Sequence, residues 1–243
     1  MEGRLIREGV RGVYFDAGGT LLYPHPSVGE VYAKVLRRWG AEIPGEPLQA
    51  AFARAWKLRS HAPKNFVDEH SEKSWWYELV RDTLRELASV EDFDGFFEDL
   101  FVTFASAEHW RVYDGARECL DALRSSGMKL GILSNWDRRL RRILAETGLD
   151  RLVDEVVISS EVGSEKPNAA IFREAARRWS FAPAELLCVG DSHYHDIAPA
   201  LALGWRALLI HRHESVPPEV EVVREFSEIP ERISGTRAVD QTG

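Results

Sequence analysis

A carboxylate followed by two glycines stands directly behind a short apolar run near the start of the chain. The run occupies residues 13–15, and the motif after it reads Asp16-Ala17-Gly18-Gly19-Thr20-Leu21. This order predicts a buried strand that ends at Asp16 in a sharp turn, because glycine adopts positive φ and lets other groups approach the backbone closely. Ligands of open α/β sheets bind just beyond the carboxyl ends of the strands. A carboxylate at that position is a candidate nucleophile, metal ligand or both.

Further polar residues follow two later apolar runs, and a lysine precedes a later helix. The runs end at Ser134-Asn135 and at Gly190-Asp191-Ser192, and Lys166-Pro167 stands just before the helix start. A parallel sheet brings all of them to one edge together with Asp16. Asp191 and Asp196 are also suited to cap helices. Three carboxylates at one edge repel one another strongly without a cation, however, and this favours a metal site.

The period of the apolar residues predicts which elements position these side chains. After a strand over residues 10–15 the pattern is helical throughout, with helices over 28–39, 47–59, 71–87 and 93–104 and an N-cap at Ser27. Beyond residue 113, helices and strands alternate. The helices are predicted over 116–126, 138–147, 168–179 and 197–203, and the strands over 129–133, 153–159, 186–189 and 207–210. We expect the chain beyond residue 213 to be a surface extension.

This alternation predicts an α/β fold in which a doubly wound, Rossmann-like parallel sheet forms the core. An all-helical domain is inserted after the first strand. The predicted bounds are 1–23 and 111–243 for the core and 24–110 for the helical insertion.

Four motifs in this order resemble those of the haloacid dehalogenase-like hydrolase superfamily. They are Asp16-Ala17-Gly18-Gly19-Thr20-Leu21, Ile132-Leu133-Ser134-Asn135, Lys166-Pro167, and the segment from Gly190 to Asp196. The resemblance covers nearly the whole chain. Members with a helical cap inserted after the first motif look most similar, in particular the group named for rhythmically expressed gene 2 of flies.

The resemblance implies a Mg²⁺-dependent phosphatase that acts on a small phosphorylated compound. Asp16 would attack the substrate and form an aspartyl-phosphate intermediate, with Ser134 and Lys166 as further catalytic residues. Asp16, the Gly18 carbonyl and Asp191 would hold Mg²⁺. The other implied positions are Gly19, Thr20, Ser134, Asn135 and Lys166 for the phosphate, and Asp196 and Ser192 in support. Support of the loop is an equal alternative for Asn135.

One departure from the family motif bears on the chemistry. Phosphatases of the superfamily usually carry a second Asp where Gly18 stands, and that Asp protonates the leaving oxygen and later activates water. Loss of a positioned general acid–base group costs roughly 10²–10⁴ in rate. We therefore expect a leaving group that needs no proton, such as that of an aryl or acyl phosphate, to be affected least.

Three alternatives to the phosphatase remain open. Related 2-haloacid dehalogenases need no metal, usually have Tyr at the Gly18 position and have Asn in the last motif. Phosphonoacetaldehyde hydrolases use a cap lysine as a Schiff base, for which this chain offers Lys34, Lys57, Lys64 and Lys73. A weakly active or inactive protein that binds a metal, a phosphate or a partner is the third, because fold and motifs do not establish activity.

Composition limits the other possibilities. The net charge of −8 argues against sequence-independent nucleic-acid binding, and the cluster Arg138, Arg139, Arg141 and Arg142 is expected to be a solvated helix face. Cys119 and Cys188 lie in apolar contexts typical of small buried hydrophobic residues. No apolar run approaches the ~20 residues that span a membrane, and the N-terminus lacks a signal-peptide core. We expect a cytoplasmic monomer or homodimer with a small-molecule substrate.

Overall fold

The computed structural model describes residues 9–59, 69–210 and 220–234. These residues form two compact units. An α/β unit holds the described residues of 1–23, 112–135 and 148–243, and a helical unit holds those of 24–111 and 136–147. In chain order, the strands are β1 Gly12–Phe15, β2 Leu22–Pro24, β3 Trp110–Val112, β4 Lys129–Ser134, β5 Glu155–Ile158, β6 Leu186–Gly190, β7 Arg206–Ile210 and β8 Val222–Val223.

A six-stranded parallel sheet flanked by helices forms the α/β unit, which confirms the predicted fold class, although the sequence predicts only five of the six strands. Its strand order is β5-β4-β1-β6-β7-β8. The chain leaves β1, builds β4 and β5 on one side, and then crosses to build β6, β7 and β8 on the other. Phe15 therefore lies opposite both Ile132 of β4 and Val189 of β6. The order in which strands are added reverses at β1, and ligands of open α/β sheets bind at such a reversal point. The two short strands β2 and β3 pair separately.

Three helices of the α/β unit follow the predicted alternation, whereas Ser159–Val162 and Glu228–Ser234 were not predicted as helices. In chain order, the helices of this unit are α5 Ala116–Ser125, α7 Ser159–Val162, α8 Ala169–Trp179, α9 Ala198–Ala202 and α10 Glu228–Ser234. The π-helical turn His193–Ile197 precedes α9 and was not predicted. Both cysteines are buried and free, as expected, and burial raises the pKa of the Cys119 thiol to about 12.

Among the described residues, five helices build the helical unit. They are α1 Val28–Arg38, α2 Gly45–Arg59, α3 Glu69–Leu84, α4 Phe93–Thr103 and α6 Arg139–Thr147. Ser27 caps α1 as predicted, because its side chain accepts a hydrogen bond from the Glu30 amide. Large apolar side chains such as Leu36, Phe96 and Leu100 are fully buried between the helices. None of the helices in the described ranges has the length and apolar character needed to span a bilayer.

The expectation of a solvated arginine face on α6 is wrong for Arg139. Its guanidinium group lies 3.5 Å from the centre of the Phe101 ring and its Nη2 lies 2.6 Å from Asp137 Oδ2. Arg138, Arg141 and Arg142 are exposed. Residues 136–147 thus belong to the helical unit, whereas the predicted bounds place them in the core. That the helical unit acts as a cap stays a prediction.

The segment after β7 is also more than a surface extension in its described part. Residues 220–234 add the edge strand β8 and the helix α10, and they bury Val223, Phe226, Ile229 and Ile233. The sequence suggested a surface segment because its Glu and Pro residues mask a short apolar stripe. Helix α10 packs against α5.

The buried stripe of α10 has a measurable consequence. We expect Ile229→Ala to lower the free energy of unfolding by about 2–5 kcal/mol, because a fully buried side chain is lost and a cavity is left. Urea denaturation measures this value. The control Glu231→Ala changes an exposed residue of the same helix and should stay within about 0.5 kcal/mol. Equal effects of the two variants would show that α10 does not belong to the core.

Candidate active site

The carboxyl ends of the three central strands bring the predicted residues together. Asp16 follows β1, Ser134 ends β4, and Gly190 ends β6. The Asp16 amide continues the ladder by donating to the Val189 carbonyl at 2.9 Å. Asp16 is therefore anchored by backbone at the end of a fully buried strand, and all of the predicted site residues lie in the α/β unit.

A tight turn follows Asp16. The amides of Leu21 and Leu22 both donate to the Ala17 carbonyl, at 2.9 and 2.8 Å. Gly19 has φ +87°, and a Cβ atom at this residue would lie 2.4 Å from Asp191 Oδ2. Only glycine thus allows Asp191 to approach the turn so closely. The Thr20 hydroxyl donates to Asp191 Oδ1 at 3.2 Å, which fixes this carboxylate from the same turn.

Lys166 lies at the centre of the site and is only 2% exposed. Its Nζ atom donates to Asp16 Oδ1 at 2.7 Å, to Asp196 Oδ1 at 2.6 Å and to the Leu133 carbonyl at 2.8 Å. These acceptors use all three protons of the ammonium group. Burial alone lowers the pKa of Lys166, but the charges of Asp16 and Asp196 outweigh it and raise that pKa above its ordinary value. Lys166 is therefore a fixed positive charge.

Asn135 holds the backbone of Lys166. Its Nδ2 donates to the Lys166 carbonyl and its Oδ1 accepts from the Lys166 amide, both at 2.7 Å. The sequence left Asn135 open between support of this loop and contact with the phosphate. Both of its amide atoms bond the lysine loop, and its contact with a phosphate stays a prediction.

The two oxygens of Asp16 have different surroundings. Oδ1 accepts from the Ser134 hydroxyl at 3.2 Å and from Lys166 Nζ. Within the described ranges, Oδ2 has no hydrogen-bond partner. One oxygen is thus held and neutralised while the other remains available for chemistry.

Asp191 and Asp196 complete the acidic cluster. Carboxylate oxygens of Asp16, Asp191 and Asp196 all lie within 4.8 Å of one another. Asp196 is buried beside Lys166 and accepts from the Ser192 amide at 3.1 Å. Reduced hydration and the charges of Asp16 and Asp196 raise the pKa of Asp191 to about 7. Reduced hydration also raises the pKa of Asp196, although Lys166 opposes that shift.

An oxygen-only donor set of this kind fits Mg²⁺. Magnesium binds through one or two carboxylates and keeps water or phosphate oxygens in its other positions. Burial is the main cause of the raised pKa of Asp191, and the charges of Asp16 and Asp196 add to it, so a bound cation would favour the ionised carboxylates.

Two other residues near the motifs, Ser192 and Gly190, shape the local backbone. The Ser192 hydroxyl lies 3.1 Å from His195 Nδ1 and accepts from the His195 amide, so it caps the π-helical turn. Gly190 needs to be glycine because a Cβ atom there would lie 2.4 Å from Asp196 Cγ. Sequence reasoning missed this requirement, although a glycine at a strand end was visible. Gly18 is exposed and lacks positive φ.

The fold and this cluster define a hydrolase built on a parallel α/β sheet. The chain belongs to the haloacid dehalogenase-like hydrolase family, whose model matches residues 10–204. It is 32% identical to haloacid dehalogenase-like hydrolase domain-containing protein 3 of Homo sapiens, over 87% of this chain and 86% of that protein. It is 29% identical to the Rhythmically expressed gene 2 protein of Drosophila melanogaster, over 83% of this chain and 83% of that protein. The predicted resemblance is thereby confirmed.

Solved structures show the same fold. The crystal structure of a HAD phosphatase from Thermococcus onnurineus matches with a TM-score of 0.68 and 25% identity, over 94% of this chain and all of that one. The L-2-haloacid dehalogenase from Xanthobacter autotrophicus matches with a TM-score of 0.74 and 22% identity, over 94% and 100%. Proteins of both activities therefore share this architecture.

The position of Lys166 leads to a pH-dependent prediction. Without divalent cations, Lys166→Met should cost about 3–5 kcal/mol of unfolding free energy at pH 8, because it leaves buried carboxylates uncompensated. Burial and neighbouring charges already raise the pKa of Asp191 to about 7, and loss of the Lys166 ammonium would raise the pKa values of Asp191 and Asp196 further. A carboxyl group whose pKa is higher in the folded than in the unfolded state destabilises the fold at a pH above its folded-state pKa. This destabilisation decreases as the pH falls through that pKa. The deficit should therefore shrink from pH 8 to pH 5 in urea denaturation.

A matched control is Lys129→Met, which removes an exposed ion pair with Asp154. This variant should lose at most about 1 kcal/mol at either pH. A deficit of Lys166→Met that stays constant or grows toward pH 5 would contradict the electrostatic explanation.

Proposed function

We propose that this hydrolase is a Mg²⁺-dependent phosphatase for small, activated phosphorylated compounds, with Asp16 as the nucleophile. The observation that carries the proposal is the asymmetric environment of Asp16. Lys166 and Ser134 hold Oδ1, and the second oxygen faces no protein partner in the described residues. A carboxylate that is fixed in this way is positioned for in-line attack, which is much of what phosphoryl transfer requires.

In the first step, an oxygen of Asp16 attacks phosphorus, and the bond between phosphorus and the leaving oxygen breaks. The electron pair of that bond leaves with the alcohol, phenol or carboxylate. The products are an aspartyl phosphate on Asp16 and the released leaving group. Lys166 supplies a fixed positive charge against the developing negative charge, and Asn135 keeps Lys166 in place.

In the second step, water attacks phosphorus and the Asp16 carboxylate is released together with inorganic phosphate. When bound by Asp16, Asp191 and the Gly18 carbonyl, Mg²⁺ would neutralise phosphate oxygens and help to align them. Asp196 would act through Lys166, which it contacts at 2.6 Å, and Ser192 would hold Asp196 through its amide. Gly19 and Thr20 would line the phosphate site from the turn.

The absence of a carboxylate at Gly18 determines the proposed substrate class. An alkyl ester needs a proton on its leaving oxygen, whereas an aryl or acyl phosphate does not. Gly18 has no group that donates this proton or removes one from water. Phosphorylated compounds with weakly basic leaving groups are therefore the proposed substrates.

The acidic cluster also distinguishes the alternatives. A metal-free dehalogenase has no use for Asp191 beside Asp16 and Asp196. A phosphonatase needs a desolvated amine that forms a Schiff base. Lys34 and Lys73 are instead part-exposed and paired with Glu108 and Glu98, Lys57 is exposed, and Lys64 lies outside the described residues. A negative assay would indicate a binding protein with little turnover.

The expected cytoplasmic location and the monomeric or homodimeric state stay predictions.

The direct test is a Mg²⁺-dependent assay with para-nitrophenyl phosphate and acetyl phosphate beside sugar and nucleotide monophosphates. We expect turnover of the two activated compounds, which EDTA should abolish and Mg²⁺ should restore. Asp16→Asn should reduce kcat by at least about 10³, because the nucleophile is lost. The control Asp150→Asn changes an exposed acid elsewhere and should keep full activity. Absence of turnover with every compound would contradict the proposed phosphatase.

A gain of function tests the role of Gly18. Gly18→Asp introduces a carboxyl group at an exposed residue that does not need positive φ. We expect it to raise kcat on sugar phosphates by about 10²–10⁴ and to change para-nitrophenyl phosphate turnover much less. Gly18→Asn is the matched control, since it has the same shape but no acid. An equal gain in both variants, or none in either, would show that the missing carboxyl does not limit the rate.

A further inference from the structure

A second concave site lies at the opposite edge of the sheet, where the strands begin. It is a cleft with a volume of ≈ 610 Å³, lined by Val10, Arg11, Gly127, Met128, Lys129, Arg178, Trp179 and Phe181. Its residues precede β1, lie before and at the start of β4, and lie at the end of α8 and just after it, so all of them belong to the α/β unit. Ligand pockets in proteins usually measure about 300–1,000 Å³. The proposed catalytic residues are not among its lining.

The aromatic wall of this amino-edge cleft is rigid. The Trp179 ring stacks on the Tyr14 ring with a centroid distance of 4.1 Å and an angle of 19°. This packing needs a strand surface without a side chain, because a Cβ atom on Gly12 would lie 2.6 Å from the Trp179 ring. The Tyr14 hydroxyl donates to the Ala175 carbonyl at 2.9 Å, which ties the stack to α8. A wall that is fixed before binding loses little entropy on binding.

The charged side chains that line the cleft are all cationic. Arg11 lies over the Phe181 ring, 4.3 Å from its centre, and bonds Glu185 through Nη1. Arg178 uses Nε and Nη1 to bond Glu174 and Glu155. In the described part of the chain, its Nη2 has no hydrogen-bond partner. The carboxylates of these pairs are not among the lining residues, so they hold the guanidinium groups without closing the cleft.

We propose that the amino-edge cleft is a binding site for a small aromatic anion. The aromatic body would lie against Trp179 and Phe181, and its acidic group would accept hydrogen bonds from Arg178 and Arg11. Flat rings suit the faces of Trp179 and Phe181, and guanidinium groups form strong charge-assisted hydrogen bonds with carboxylates, sulfonates and phosphates.

The test uses 2-naphthalenesulfonate as the probe and follows the indole N–H resonances of the ¹⁵N-labelled protein. The Trp179 resonance is the one that disappears in Trp179→Phe. We expect a saturable shift of this resonance, and a dissociation constant that is roughly tenfold higher for Arg178→Met, because a charge-assisted hydrogen bond is lost. Arg11→Met should weaken binding in the same direction.

Arg177→Met is the matched control. Arg177 also pairs with Glu174 but is exposed and does not line the cleft, so this variant should bind the probe as the wild type does. Asp16→Asn should also bind it normally, because the cleft is separate from the catalytic residues. Neutral 2-naphthol and non-aromatic methanesulfonate should each bind at least about tenfold more weakly.

Several results would overturn the proposal. These are a shift that does not saturate, equal losses in Arg177→Met and Arg178→Met, and equal binding of either matched compound. Loss of binding in Asp16→Asn would place the probe at the catalytic edge instead. Unchanged indole resonances of the other tryptophans in each free variant show that it is folded, so a loss in Arg178→Met reports on binding.

Discussion

The site depends on one buried ammonium group. Lys166 is almost completely buried. The cost of its desolvation is offset because Asp16, Asp196 and the Leu133 carbonyl accept hydrogen bonds from its ammonium group. The same contacts orient the proposed nucleophile. Three carboxylates remain against one ammonium, which leaves a net charge of −2 when all are ionised. This is the charge that the proposed Mg²⁺ would balance, so the lysine and the metal have complementary tasks.

The strand order explains why residues far apart in sequence meet at this lysine. Asp16, Ser134 and Asp191 lie at the carboxyl ends of three adjacent strands, and the turn after Asp16 keeps Gly19 against Asp191. Glycine has the same physical use at the other edge of the sheet, where Gly12 makes room for Trp179. Close approach of a ring or a carboxylate to the strands thus shapes both edges of one sheet.

Much of this could be predicted from the sequence, because the signals are local. Apolar runs that end in Asp16, Ser134 and Asp191 predict strands with polar carboxyl ends, and a parallel sheet must align them. The failures concern contacts between distant segments. The helical period of α6 predicts its polar stripe. It does not predict that Arg139 packs on Phe101. Likewise, the stripe of α10 was hidden by its charged neighbours, and the two hydrogen bonds of Asn135 to the Lys166 backbone could not be predicted.

The most direct measurement of the central claim is the detection of a phosphoryl group on Asp16. The protein would be mixed with acetyl phosphate and Mg²⁺, quenched in acid within one turnover, and its peptides analysed by mass spectrometry. We expect one added phosphoryl group on the peptide that contains Asp16, absent with EDTA and absent in Asp16→Asn. Turnover without any modification of that peptide, or with the phosphoryl group on another residue, would contradict the assignment of Asp16 as the nucleophile.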